Sequence, residues 1–131
     1  MKSIAAKGMV LLFGLTIVFH LLVLASVIPY TIVGGGRITT QEEMYQLETA
    51  ALALNVLFFF ISLLQAGYLR LNVSPRLLTG AMWGMFGVFL LNTVGNLFSN
   101  SPLEKLIFTP VTLILAVFSV ILAVSPGNRT V

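Results

Sequence analysis

The stretch FLLNTVGNLFSNSPLEKLIFTP, residues 89–110, decides how the chain is read. It ends one apolar run, turns, and starts another. Asn92 and Asn96 stand four apart, so they share one helix face. Asparagine within lipid is unfavourable unless something hydrogen-bonds it. This face is therefore expected to look inward, towards other helices or a wet cavity.

Composition agrees with a membrane setting. The 131 residues fit a single domain, with 58% hydrophobic, 8% charged and a mean hydropathy of +1.05. A soluble domain carries about 25% charged residues, so water is a poor solvent for most of this surface. The absence of cysteine excludes disulfides, thiolate metal sites and quinone-linked thiol chemistry. The pI of 9.7 rests on seven Lys and Arg scattered between apolar stretches, so no nucleic-acid partner is expected.

The apolar run 8–33 exceeds the roughly 7–15 residues of a signal-peptide core and is read as an uncleaved span. Pro29 disfavours helix at the residue before it, which predicts a helix end near Ile28. Gly34, Gly35 and Gly36 break the chain. Thr40 with Glu43 fits a capping box opening a second helix. Ser74–Pro75 opens a third, with Ser as N-cap and Pro at the first position. Ser101-Pro102-Leu103-Glu104 is a second capping box, and Ser125-Pro126-Gly127 stops the fourth helix. The predicted spans are 8–28, 47–69, 77–98 and 104–124, each near the roughly 20 residues that cross a bilayer. Short connections make neighbours antiparallel. The expected fold is all-α, a four-helix up-down bundle in the bilayer.

Charge gives the expected orientation. Lys2, Lys7, Arg70, Arg76 and Arg129 fall on one side; Arg37, Lys105 and all four acids, Glu42, Glu43, Glu48 and Glu104, fall on the other. The positive-inside rule then places both termini in the cytoplasm. Each helical hairpin has a glutamate near the start of its second helix, Glu48 and Glu104. Little else aligns, so no internal repeat is assigned.

Five residues are candidates for ligand binding: His20, Glu48, Asn55, Asn92 and Asn96. His20 lies near the middle of the first span, where an ionisable group points to function. Its charge changes near neutral pH, which suits a proton relay. The structural alternative is a neutral histidine donating to a carbonyl or an asparagine. Glu48, Asn55 and Ser62 recur every seven residues on one side of the second helix. With Asn92 and Asn96 they would line a polar slot, Glu48 at its outer mouth and Asn55 at its depth. Plain interhelical hydrogen bonding, worth about 0.6 kcal/mol per contact, is the alternative.

Other features have simpler uses. Glu42, Glu43 and Glu104 read as helix caps. Arg37 is expected to pair with Glu42 or Glu43, the alternative being an anionic headgroup. Gly80, Gly84, Gly87 and Gly95 form one stripe, and Thr109, Thr112, Ala116, Ser119 and Ala123 another; packing of the third helix on the fourth is expected, or self-association through Gly80 and Gly84. Pro110 leaves the Leu106 carbonyl without its usual partner and predicts a kink. Trp83, Tyr68, Tyr30 and Tyr45 suit interfacial belts. No catalytic motif is present, and a chain without aspartate is not expected to hold a hydrolytic metal. A single histidine without an attachment motif predicts no haem, and no other cofactor is expected.

The GGRI segment before a glutamate-bearing helix, and the run NTVGNLFSNSPLEKLIFTPVT, resemble small four-span bacterial membrane proteins of unassigned function. The resemblance covers most of the chain. It implies a bacterial inner-membrane protein and no particular reaction. The leading expectation is a protein whose inner polar face binds or passes a small solute or lipid. An accessory subunit of a larger membrane complex, or a homo-oligomer, comes next. A membrane enzyme using His20 and Glu48 on a lipid is the third.

Overall fold

Four helices carry the chain: α1 (Lys2–Leu24), α2 (Gln41–Ala66), α3 (Pro75–Leu97) and α4 (Thr109–Val124), the last preceded by a π-helical turn, Glu104–Phe108. The structure is a computed structural model and describes residues 1–125. Pro126, Gly127 and Arg129, used above for the helix stop and the charge balance, lie outside the described residues. All four helices, α4 counted with its π turn, are long and apolar enough to cross a membrane. Leu11, Leu57, Leu90 and Leu106 are among the exposed apolar side chains that each span turns outward. A fully polar-satisfied backbone with an apolar exterior is what lipid demands. The chain is an all-α four-helix bundle and a multi-pass membrane protein.

Two helices end earlier than predicted. α1 stops at Leu24, four residues short of Ile28. Ser26 enters the left-handed region at φ 61, and the N–H groups of Ala25, Ser26, Val27 and Ile28 fold back onto the carbonyls of Leu21, Leu22 and Val23. A tight turn thus ends the helix before Pro29 can. α2 stops at Ala66 instead of Leu69, because Gly67 is left-handed (φ 81, ψ 5) and the N–H groups of Tyr68 and Leu69 return to the Leu63 carbonyl. This is how a glycine closes a helix end. At the start of α2 the Thr40 hydroxyl accepts the Glu43 N–H at 3.1 Å, as a capping box requires. The Glu43 carboxylate, however, accepts from the Thr39 and Thr40 hydroxyls. Ser74 makes no side-chain cap bond; Pro75 alone marks that start.

α1 packs along α2 and α3 along α4, with α4 also against α1; the seam between α2 and α3 is the slightest. Met9, Phe13, Phe58, Met82, Met85, Phe89 and Leu115 form the main core. Phe13, Phe58 and Phe89 close on one another from three helices, with ring centroids 5.4–5.8 Å apart. The close approach that small residues allow is made by Gly8, where an added Cβ would meet Phe118 at 2.5 Å. The α3 glycines do not serve that way. A Cβ at Gly80, Gly84, Gly87 or Gly95 would meet nothing within 4 Å. α3 turns a different face inward, Leu78, Met82, Met85, Phe89 and Thr93, so the predicted glycine seam with α4 is replaced by methionine and phenylalanine packing.

Candidate functional site

Beyond the phenylalanine trio, towards the end of the bundle away from the N-terminus, the four helices part around a cavity of about 420 Å³. His20, Glu48, Asn55, Asn92 and Asn96 all line it. Ser62 does not; its hydroxyl donates to the Phe58 carbonyl of its own helix. The sevenfold spacing placed Ser62 on the right face, but a full two turns beyond Asn55 lies below the cavity floor.

The centre of the polar wall is a pair formed across α1 and α2. His20 Nδ1 bonds Glu48 Oε2. Glu48 is only 2% exposed, although it was expected at an outer mouth. Its Oε1 has no hydrogen-bond partner among the described residues. The Phe19 ring stands edge-on to His20, with centroids 5.7 Å apart, and to Phe108 at 4.8 Å. One turn before His20, the Thr16 hydroxyl lies 2.9 Å from Asn55 Oδ1, while Asn55 Nδ2 donates to the Ala51 carbonyl at 2.8 Å. An asparagine held at both ends fixes the wall without drawing on water.

The opposite wall is a threonine cluster. The Thr112 hydroxyl donates to the Phe108 carbonyl at 2.8 Å and lies 2.9 Å from Thr93 Oγ1 and 3.4 Å from Asn96 Nδ2. Thr112 follows Pro110, which lacks an N–H, and the chain answers that loss with the π turn at Glu104–Phe108. Asn92 is placed differently from Asn96. It is exposed at the cavity margin and makes no hydrogen bond among the described residues. The neighbouring wall residues Leu47, Leu91 and Gly95 are also exposed. The cavity is therefore thinly walled between α2 and α3, where the bundle is loosest.

A latch covers the end of the cavity. Gly34, Gly35 and Gly36 all have positive φ (62, 72 and 71), which only glycine adopts without strain. This turns the Gly35 N–H onto both Glu104 carboxylate oxygens, at 3.1 and 3.3 Å. Ser99 donates its hydroxyl to the same carboxylate and accepts the Ser101 N–H at 2.9 Å. The Asn100 N–H reaches the Gly35 carbonyl at 2.9 Å. Glu104 was read as a cap. Its N–H does meet Ser101 Oγ at 3.4 Å, but its carboxylate crosses the bundle to hold the α1–α2 loop. Arg37 was expected to pair with Glu42 or Glu43. Among the described residues it forms no ion pair with either, since Glu43 is taken by the threonines; its guanidinium donates to the Phe98 carbonyl at 3.4 Å and lines the cavity rim.

Thr16, Thr112, Arg37 and Glu104 thus join the five candidates. Thr16 carried a readable signal, being four residues before His20 on the same helix face. Glu104 did not, because its partner lies 69 residues away in sequence. No family model matches the chain, and no curated protein or solved structure matches it.

Proposed function

We propose that the chain binds a small polar or amphipathic molecule in this cavity, reached from the bilayer between α2 and α3. The observation that carries the reading is the pair of a half-buried His20 and a buried Glu48 on the wall of a cavity within apolar spans. Such groups are costly in a membrane and mark sites of use. Binding is favoured over passage, because the Phe13–Phe58–Phe89 trio floors the cavity. With both termini cytoplasmic, as the charge bias favours, the cavity lies in the outer half of a bacterial inner membrane.

The test is the identity of what co-purifies. Native mass spectrometry of the full chain in lipid nanodiscs should detect a retained molecule. Ala51→Trp, which fills the cavity from α2, should lose it while leaving helix content unchanged. Equal retention by both proteins would refute the site. A second reading, an accessory subunit docked on a larger membrane partner, is favoured by the α3 glycines, where an added Cβ would meet nothing within 4 Å among the described residues. Cross-linking from Gly84→Cys in native membranes would reveal that partner.

A further inference from the structure

We infer that the cavity takes an ammonium group, primary or quaternary, held between the Glu48 carboxylate and the rings of Phe19, Phe89 and Phe108. The inference rests on the cavity being a binding site and names the chemistry it selects.

Three observations meet. The first is the free carboxylate oxygen. Glu48 is almost wholly buried and spends Oε2 on His20, leaving Oε1 unpartnered on the cavity wall. A carboxylate oxygen without a protein partner, on the wall of a cavity between apolar spans, is an acceptor open to a cation. The second is the ring set. Phe19, Phe89 and Phe108 line the same cavity, and aromatic faces attract ammonium groups through their quadrupoles. The third is the charge of the wall. Two carboxylates, Glu48 and Glu104, face one guanidinium, Arg37. The two acidic side chains thus outnumber Arg37 on the wall. The cavity's size falls in the range of about 300–1,000 Å³ typical of small-molecule sites.

His20 Nδ1 holds Glu48 Oε2 and so fixes where the second carboxylate oxygen points. Glu104 from the π turn and Arg37 from the α1–α2 loop face the same space; their hydrogen bonds go to Gly35, Ser99 and Phe98.

The probes are choline and its neutral isostere 3,3-dimethylbutan-1-ol, titrated calorimetrically into the full chain in phosphatidylglycerol nanodiscs. Wild type should bind choline and ignore the isostere. Glu48→Gln should weaken choline at least tenfold, and Phe19→Leu about threefold. Circular dichroism and elution volume control for folding; where Glu48→Gln fails them, Phe19→Leu and the choline-against-isostere comparison carry the test. Competition from added phosphatidylethanolamine would assign the ammonium to a lipid head, and no competition to a soluble amine. Equal binding of the isostere, or choline affinity unchanged in Glu48→Gln, overturns the inference. Retention of an anionic or neutral molecule that Ala51→Trp releases would overturn it and leave the cavity reading standing. Failure of wild type to retain or bind anything overturns both.

Discussion

Glu104→Gln keeps the length of the side chain and removes its charge, which isolates what the carboxylate does for the latch. Two donors converge on it, the Gly35 N–H and the Ser99 hydroxyl. A hydrogen bond to a charged group contributes about 1.5–3 kcal/mol, and one between neutral groups about 0.5–1.5 kcal/mol. Each bond should therefore lose about 1 kcal/mol, and the latch about 2 kcal/mol. Glu104 is 7% exposed, so solvent screening does little to reduce this. At about 1.4 kcal/mol per tenfold, local opening becomes roughly 30-fold more frequent. The assay is hydrogen–deuterium exchange of the reconstituted protein. Peptides covering 34–38 should exchange faster by about that factor, and so should the Asn100 amide, which bonds the Gly35 carbonyl. Peptides from the centres of α1 and α4 should not change. Unaltered exchange at Gly35 would show that the carboxylate does not hold the loop.

Phe13→Ala removes a fully buried ring that meets both Phe58 and Phe89, and should cost about 3–5 kcal/mol in denaturant unfolding from micelles; a loss under about 1 kcal/mol would contradict the packed trio. Gly84→Leu should leave thermal stability within about 1 kcal/mol, since a Cβ there meets nothing within 4 Å among the described residues and leucine favours helix; a large fall would mean that the α3 glycines are packed after all. Cysteines placed at Ser3 and Thr39 should label from opposite sides of the membrane, Thr39→Cys in intact cells and Ser3→Cys after permeabilisation. Labelling of both from outside would refute the topology.

What could be read from the sequence was whatever follows from one helix at a time. Composition and run length gave four spans, because the bilayer imposes a length on any segment that crosses it. Helical spacing put Asn92 with Asn96 and Glu48 with Asn55, and the cost of polar groups in lipid said they would turn inward; Glu48, Asn55 and Asn96 find partners there, while Asn92 stays exposed at the cavity margin. Relations between distant segments were not legible. Glu104 looks like a cap beside Ser101, and nothing local says that its carboxylate will reach Gly35. Arg37 sits near two glutamates in sequence, yet the loop's left-handed glycines carry it to Phe98. The α3 glycines and the Met82–Met85–Phe89 face are both plausible seams by pattern. Which one packs depends on the rotation of α3 about its axis, which volume and shape decide, not periodicity.

The looseness between α2 and α3 has a consequence for how affinity must be measured. Leu47, Leu91 and Asn92 border the cavity where the two helices scarcely touch, so a ligand arriving there comes sideways from the leaflet. If the ligand is an amphiphile, it is partitioned into the bilayer before it is bound. Its occupancy follows the number of ligand molecules per lipid, not per volume of buffer. Adding lipid at fixed total ligand would dilute it away from the protein, while adding buffer would leave a strongly partitioning ligand in place. A dissociation constant for such a ligand is a mole fraction in the membrane, and quoting it in molar units of water would make the same site look tight or weak according to the amount of bilayer present.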